Sequence, residues 1–122
     1  MTDIAELKQY LKINKHRLDE ELEEQPMLLF QISEAFVQAS AERDMLKEQL
    51  ATIDATLDGK ARTKLERTQE KVTEAMVKNS VQTSGDHEAA SAAYLKAKNQ
   101  ADLLAALKEA FHSRGFMIRD LC

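Results

Sequence analysis

Tryptophan is absent from this chain, and aromatic residues make up only 5% of it. Glycine occurs three times and proline once in 122 residues. Sandwiches, barrels and doubly wound sheets need far more turn punctuation than that, so they are excluded. The single cysteine, Cys122, cannot close an internal disulfide, and a reducing, cytoplasmic setting is the expectation. No apolar run approaches the ~20 residues of a membrane-spanning helix. The start, Met1-Thr2-Asp3-Ile4, lacks the basic residues and apolar stretch of a secretion signal. Positive charge is also in deficit: Lys+Arg is 17 against Asp+Glu 21, a net charge of −4. A surface coated in positive charge is thereby excluded, but a local basic strip is not.

What remains is rich in helix-forming material. Hydrophobic residues reach 43% and charged residues 31%, too apolar for wholesale disorder. The expected class is all-α: an extended helical protein with two long amphipathic helices. Few large side chains are available to fill a core, so homo-oligomerisation is expected to complete it. A single all-helical domain spans 1–122. It has an N-terminal helix and acidic segment at 1–25, a long heptad helix at 26–58, a basic strip and short helix at 59–85, and a C-terminal helix and oligomerisation tail at 86–122.

Asp3 and Glu6 have capping-box spacing, with Ile4, Leu7 and Leu11 on one face behind them. The pattern weakens at Asn14-Lys15-His16, and an acidic run from Asp19 to Glu24 follows. Acids ahead of a helix favour its positive end, and Pro26 fits a first helical turn. From there Leu29, Ile32, Phe36, Ala39, Arg43, Leu46, Leu50, Ile53 and Leu57 keep 3-4 spacing, the seam of a helix that pairs with another. Arg43 is its one polar member, a candidate selector of register. Asp58-Gly59 reads as a turn, Thr73 as the cap of a short helix reaching about Val81, and Thr83-Ser84-Gly85-Asp86 as a break. The last helix is expected from about His87 to Arg114, with Ala90, Ala93, Ala97, Gln100, Leu104, Leu107 and Phe111 along its seam. Gly115 then reads as a left-handed C′ residue, with Phe116 and Phe111 making the contact of a Schellman cap.

Enzyme chemistry is missing from this pattern. His16, His87 and His112 are scattered and stand far from Cys122, so no metal spacing exists. No glycine-rich loop opens a helix to cradle phosphate. The chain reads as a non-enzyme that needs no cofactor. The site candidate is the basic stretch Lys60, Arg62, Lys64, Arg67 and Lys71, interrupted by Glu66 and Glu70. In a helix, Lys60, Lys64, Arg67 and Lys71 share one face while Arg62 points elsewhere. Phosphates are held by such cations placed along a backbone path. A solvated face paired with Glu66 and Glu70 is the competing reading.

Lys60-Ala61-Arg62, set behind a long amphipathic helix, resembles a motif of the UvsY-like phage recombination mediators. So does Ala110-Phe111-His112-Ser113-Arg114-Gly115-Phe116-Met117-Ile118, which is similar to that family's C-terminal Ser-Arg-Gly-Phe segment. Leu18-Asp19 falls where the family has an apolar-Asp pair. The resemblance implies a helical, ring-forming protein that binds single-stranded DNA and helps a phage or host recombinase load onto strands covered by single-strand-binding protein. If the protein is phage-encoded, the cytoplasmic setting expected from its cysteine usage is that of the host cell, and the lack of a long apolar run leaves no membrane partner. It implies DNA contact at Lys60 and Arg62, to which helix geometry adds Lys64 and Arg67. It implies oligomerisation through the C-terminal segment, including Phe111, Gly115 and Phe116, to which the seam of the last helix adds Leu104 and Leu107. The family follows its Lys-Ala-Arg with Leu-Asp and paired tyrosines, whereas this chain reads Thr63-Lys64-Leu65-Glu66-Arg67. With Tyr10 and Tyr94 remote in sequence, base stacking is not expected and binding leans on phosphates. The alternatives are a helical protein-interaction adaptor and a phage assembly factor without DNA binding.

Overall fold

The computed structural model describes residues 3–68 and 71–122. These form four helices and no strand: α1 (Ile4–Gln9), α2 (Leu18–Thr68), α3 (Glu74–Gln82) and α4 (Gly85–Leu121). The all-α class is the one the composition indicates. Both short helices start where the sequence places their caps. Asp3 Oδ1 accepts the Glu6 N–H at 3.3 Å, and Thr73 Oγ1 accepts the Met76 N–H at 3.2 Å. Each bond satisfies one of the donors that a helix start leaves without an internal partner.

The long helices overrun three expected boundaries, one start and two ends. α2 begins at Leu18 rather than at Pro26, so Asp19, Glu20 and Glu21 lie in its first turn instead of ahead of it. Pro26 sits inside the helix, where its ring removes the N–H that would bond the Leu22 carbonyl. Tertiary contacts outweigh that loss, because Glu21 and Gln25 on the neighbouring turns are tied to α4. α2 also runs through Asp58-Gly59 to Thr68. Asp58 Oδ1 accepts from Arg62 Nε at 2.7 Å, one helical turn on, instead of capping a turn. Lys71 therefore lies beyond the end of α2 and does not share its basic face; Gln69 and Glu70 lie outside the described residues. α4 begins at Gly85, passes through Gly115 and continues to Leu121. No described glycine has positive φ, so the Schellman cap expected at Gly115 does not form.

The chain divides into two compact units, Met1–Ala41 with Lys98–Cys122, and Glu42–Ala97. In the first, the expected seams of the two long helices bury one another. Ile32, Ala35 and Ala39 of α2 cluster with Ala101, Leu104, Leu107 and Phe111 of α4, and Ile4, Leu7 and Leu11 pack against them. The partner of each seam here is the other helix of the same chain. In the second unit Ala61, Val77 and Ala97 are buried, while Leu46, Leu50, Ile53 and Leu57 are only half-buried. Ala93, placed on the α4 seam by its spacing, is exposed. It lines a groove of about 540 Å³ with Leu46, Ile53, Leu57 and Ala90. Small alanines on α4 leave that groove unfilled.

Gly115 has a packing role instead of a capping one. A Cβ built there meets Gln25 Nε2 at 3.2 Å. That amide donates to the Phe111 carbonyl at 2.5 Å. Gly115→Ala gains about 1 kcal/mol of helix propensity. Displacing the buried amide costs about 1–3 kcal/mol. We expect a net loss of about 1 kcal/mol in urea unfolding, and a gain in stability would show that Gln25 moves aside freely.

Candidate functional site

The basic stretch lies on the last turns of α2, in the second unit. Helical continuation past Gly59 sets Lys60, Lys64 and Arg67 on the same helix as Ala55 and Thr56, which share their groove. Lys60, Lys64 and Arg67 are exposed and fall on one side of the helix. None forms an ion pair among the described residues, and Glu66, offered by the sequence as their neutralising partner, forms none either. They line a shallow groove of about 650 Å³ with Ala55, Thr56, Gly59, Thr63 and Thr68, and no carboxylate is among its described lining residues. The hydroxyls of Thr56, Thr63 and Thr68 turn back onto helix carbonyls, Thr52, Gly59 and Lys64 respectively, at 3.0, 3.0 and 3.3 Å. Free cations beside a floor of small side chains can hold an extended polyanion by its phosphates.

Arg62 is placed differently. Its guanidinium donates to both carboxylate oxygens of Glu74, at 2.9 and 2.6 Å, while Nε donates to Asp58. This forked geometry fixes the first turn of α3 to the end of α2. The Arg62 hydrogen bonds, foremost, and its charge hold the Glu74 carboxyl below its ordinary value. The same bonds push Arg62 upward, so it stays charged throughout the accessible pH range. Of the four cations singled out in the sequence, the fold groups Lys60, Lys64 and Arg67 and sets Arg62 to a structural pairing. That pairing joins residues 12 apart in the chain, a distance local patterns do not report.

The C-terminal candidates also separate. Leu104, Leu107 and Phe111 are buried inside the first unit, and Gly115 is half-buried against Gln25. Phe116 alone of the five is exposed, with the Arg119 guanidinium 4.9 Å from its ring centre. Other large apolar side chains open to solvent include Met27, Phe30, Val37 and Met45 on α2, and Leu95 and Met117 on α4.

Two polar clusters were not visible in the sequence. In the first unit Arg114, 3% exposed, donates to Gln25 Oε1 at 2.6 Å, to the Lys12 carbonyl at 3.2 Å and to the Glu21 carboxylate. In the second, His87 Nδ1 donates to Asp54 Oδ1 at 2.6 Å, joining the first turn of α4 to α2. Among the described residues no group of three or more His, Cys, Asp and Glu side chains could hold a metal ion. Among them, too, no helix is long and apolar enough to cross a membrane. The chain matches no family model, no curated protein and no solved structure.

Proposed function

We propose that this chain is a UvsY-like recombination mediator that binds single-stranded DNA and assists recombinase loading onto strands covered by single-strand-binding protein. The observation that supports this reading is the groove on α2 with Lys60, Lys64 and Arg67 along it and no carboxylate among its described lining residues. Three cations spaced four and three residues apart track a phosphate path about two helical turns long. One such site is weak. Repetition around a homo-oligomer multiplies it, because linked sites raise avidity by roughly 100-fold or more. Self-association would use exposed apolar side chains such as Phe116 and Met117, not the buried Leu104, Leu107 and Phe111. In this reading Arg62 latches α3 in place and Lys60, Lys64 and Arg67 contact phosphate.

A protein-interaction adaptor is the second reading, favoured by the apolar side chains Met27, Phe30 and Val37 open to solvent on α2. Salt dependence separates the two. Affinity for an oligonucleotide should fall with a slope of about −0.7 in log affinity against log salt for each phosphate neutralised. The triple variant Lys60→Ala, Lys64→Ala, Arg67→Ala should flatten that slope by about 2. Arg62→Ala should instead loosen α3, read as faster amide exchange, with a smaller effect on the slope. Unchanged binding by the triple variant, at unchanged oligomer mass, would remove the mediator reading.

A further inference from the structure

α2 carries a glycine where the fold gives no reason for one. Gly115 of α4 is explained by Gln25, which a Cβ would meet at 3.2 Å, and Gly85 merely opens its helix. Gly59 lies deep inside α2, and a Cβ built on it meets nothing within 4 Å. Its backbone is ordinary helix, with no positive φ that an L side chain would resist. An alanine there would fit, and it would improve the helix, since glycine is among the poorest residues inside one. Among the described residues nothing accounts for a bare backbone at this position.

The surroundings say what comes close. Gly59 lies in the groove lined by Lys60, Lys64 and Arg67, with Thr56 and Thr63 about one turn away on either side. Thr63 Oγ1 donates to the Gly59 carbonyl itself, which draws that side chain down onto the helix. The floor is thus lowest at Gly59, beside Lys60, Lys64 and Arg67, none of which forms an ion pair among the described residues. A helix of another protein seated there would need apolar anchors, and among the described lining residues Ala55 alone has a purely apolar side chain. A phosphodiester backbone needs cations and room for close approach instead, and both are present.

We propose that Gly59 is the point of closest approach of a single-stranded nucleic-acid backbone on α2, where the missing side chain lets a phosphate settle within reach of Lys60 and Arg67. This rests on the DNA-binding reading above. A methyl group at Gly59 lifts the strand off the helix and moves its phosphates away from both cations, while leaving the protein's own packing untouched.

The test compares Gly59→Ala and Gly59→Gln with Ala51→Gln, a substitution at an exposed position of the same helix outside the groove. Melting temperature, oligomer mass by light scattering, and affinity for a fluorescein-labelled oligothymidylate are measured on each. Gly59→Ala should melt higher, keep the mass, and bind about tenfold more weakly, with a salt slope reduced by about 0.7 for each phosphate no longer neutralised. Gly59→Gln should bind more weakly still, and Ala51→Gln should bind as the parent does. Parental affinity in both Gly59 variants, alongside abolished binding in the Lys60, Lys64 and Arg67 triple variant, would overturn this inference and leave the DNA-binding reading standing. Parental affinity in the triple variant would overturn both. A fall in melting temperature or in mass on Gly59→Ala would also overturn it, because the glycine would then serve the chain's own packing or an interface between copies.

Discussion

Replacing Arg114 with methionine should destabilise the protein by about 3–5 kcal/mol, although no sequence pattern marks this residue as structural. Its guanidinium is almost fully buried and reaches three acceptors from two parts of the first unit: the Lys12 carbonyl between α1 and α2, and the Glu21 carboxylate and Gln25 Oε1 on α2. Removing it leaves a half-buried carboxylate and a buried amide oxygen facing a thioether. The cost comes from those orphaned acceptors more than from the attraction removed. The network is also imperfect, since Arg114 Nε is buried without a partner. An apolar replacement of the whole set should therefore recover much of the loss. Arg114→Met, Glu21→Leu and Gln25→Leu combined should be clearly more stable than Arg114→Met alone, a non-additivity that unfolding curves of the single and combined variants report. Amide exchange should add a spatial signature. Residues around Lys12 lose an anchor in Arg114→Met and should exchange faster than the core of α2. A loss below about 1 kcal/mol in Arg114→Met would mean that water replaces the guanidinium at little cost.

That network shows where the sequence was legible and where it was not. The two short helices were readable because a cap is local: Asp3 and Thr73 each meet a backbone N–H three residues away. The α2 seam was readable because 3-4 spacing alone places Leu29, Ile32, Phe36 and Ala39 on one face, and the fold buries or half-buries all four. Helix ends differ from the sequence expectation at Pro26, Gly59 and Gly115, because proline and glycine mark a boundary only when nothing outweighs their intrinsic cost. Packing on α4 outweighs it at Pro26, the Asp58–Arg62 pair bridges the turn at Gly59, and close approach to Gln25 uses Gly115. Arg114 does continue the α4 seam, three residues after Phe111 and four before Ile118, and both neighbours are buried. Its charge hid it, since a lone basic residue on a seam looks like an intruder until its carboxylate partner is found elsewhere in the chain. The same applies to the candidate site. Lys60, Lys64 and Arg67 form a face by local geometry, but the pairing of Arg62 with Glu74 exists only once α3 folds back on α2.

Phe111 and Phe116 stand five residues apart, and the sequence assigned both to one cap and one assembly surface; their substitution by alanine should have opposite signatures. Phe111 is 1% exposed and belongs to a cluster of seven buried residues, three of which are alanines. A core so short of large side chains depends heavily on each one it has. Phe111→Ala should leave a cavity that the flanking helices cannot close, at a cost of about 3–5 kcal/mol. For a chain of this size, with about 5–15 kcal/mol of total stability, that is a large share of what holds the first unit together. Phe116 is 56% exposed and contacts Arg119 of the next turn. Phe116→Ala should change stability by less than about 1 kcal/mol. If its ring contributes to self-association, the variant should fall in oligomer mass at an unchanged melting temperature, whereas Phe111→Ala should fall in melting temperature first. Equal thermal losses in the two variants would mean that Phe116 is covered in solution by another part of the same unit. A drop in mass from Phe111→Ala without thermal loss would return the buried seam to the assembly surface, against its place in the core.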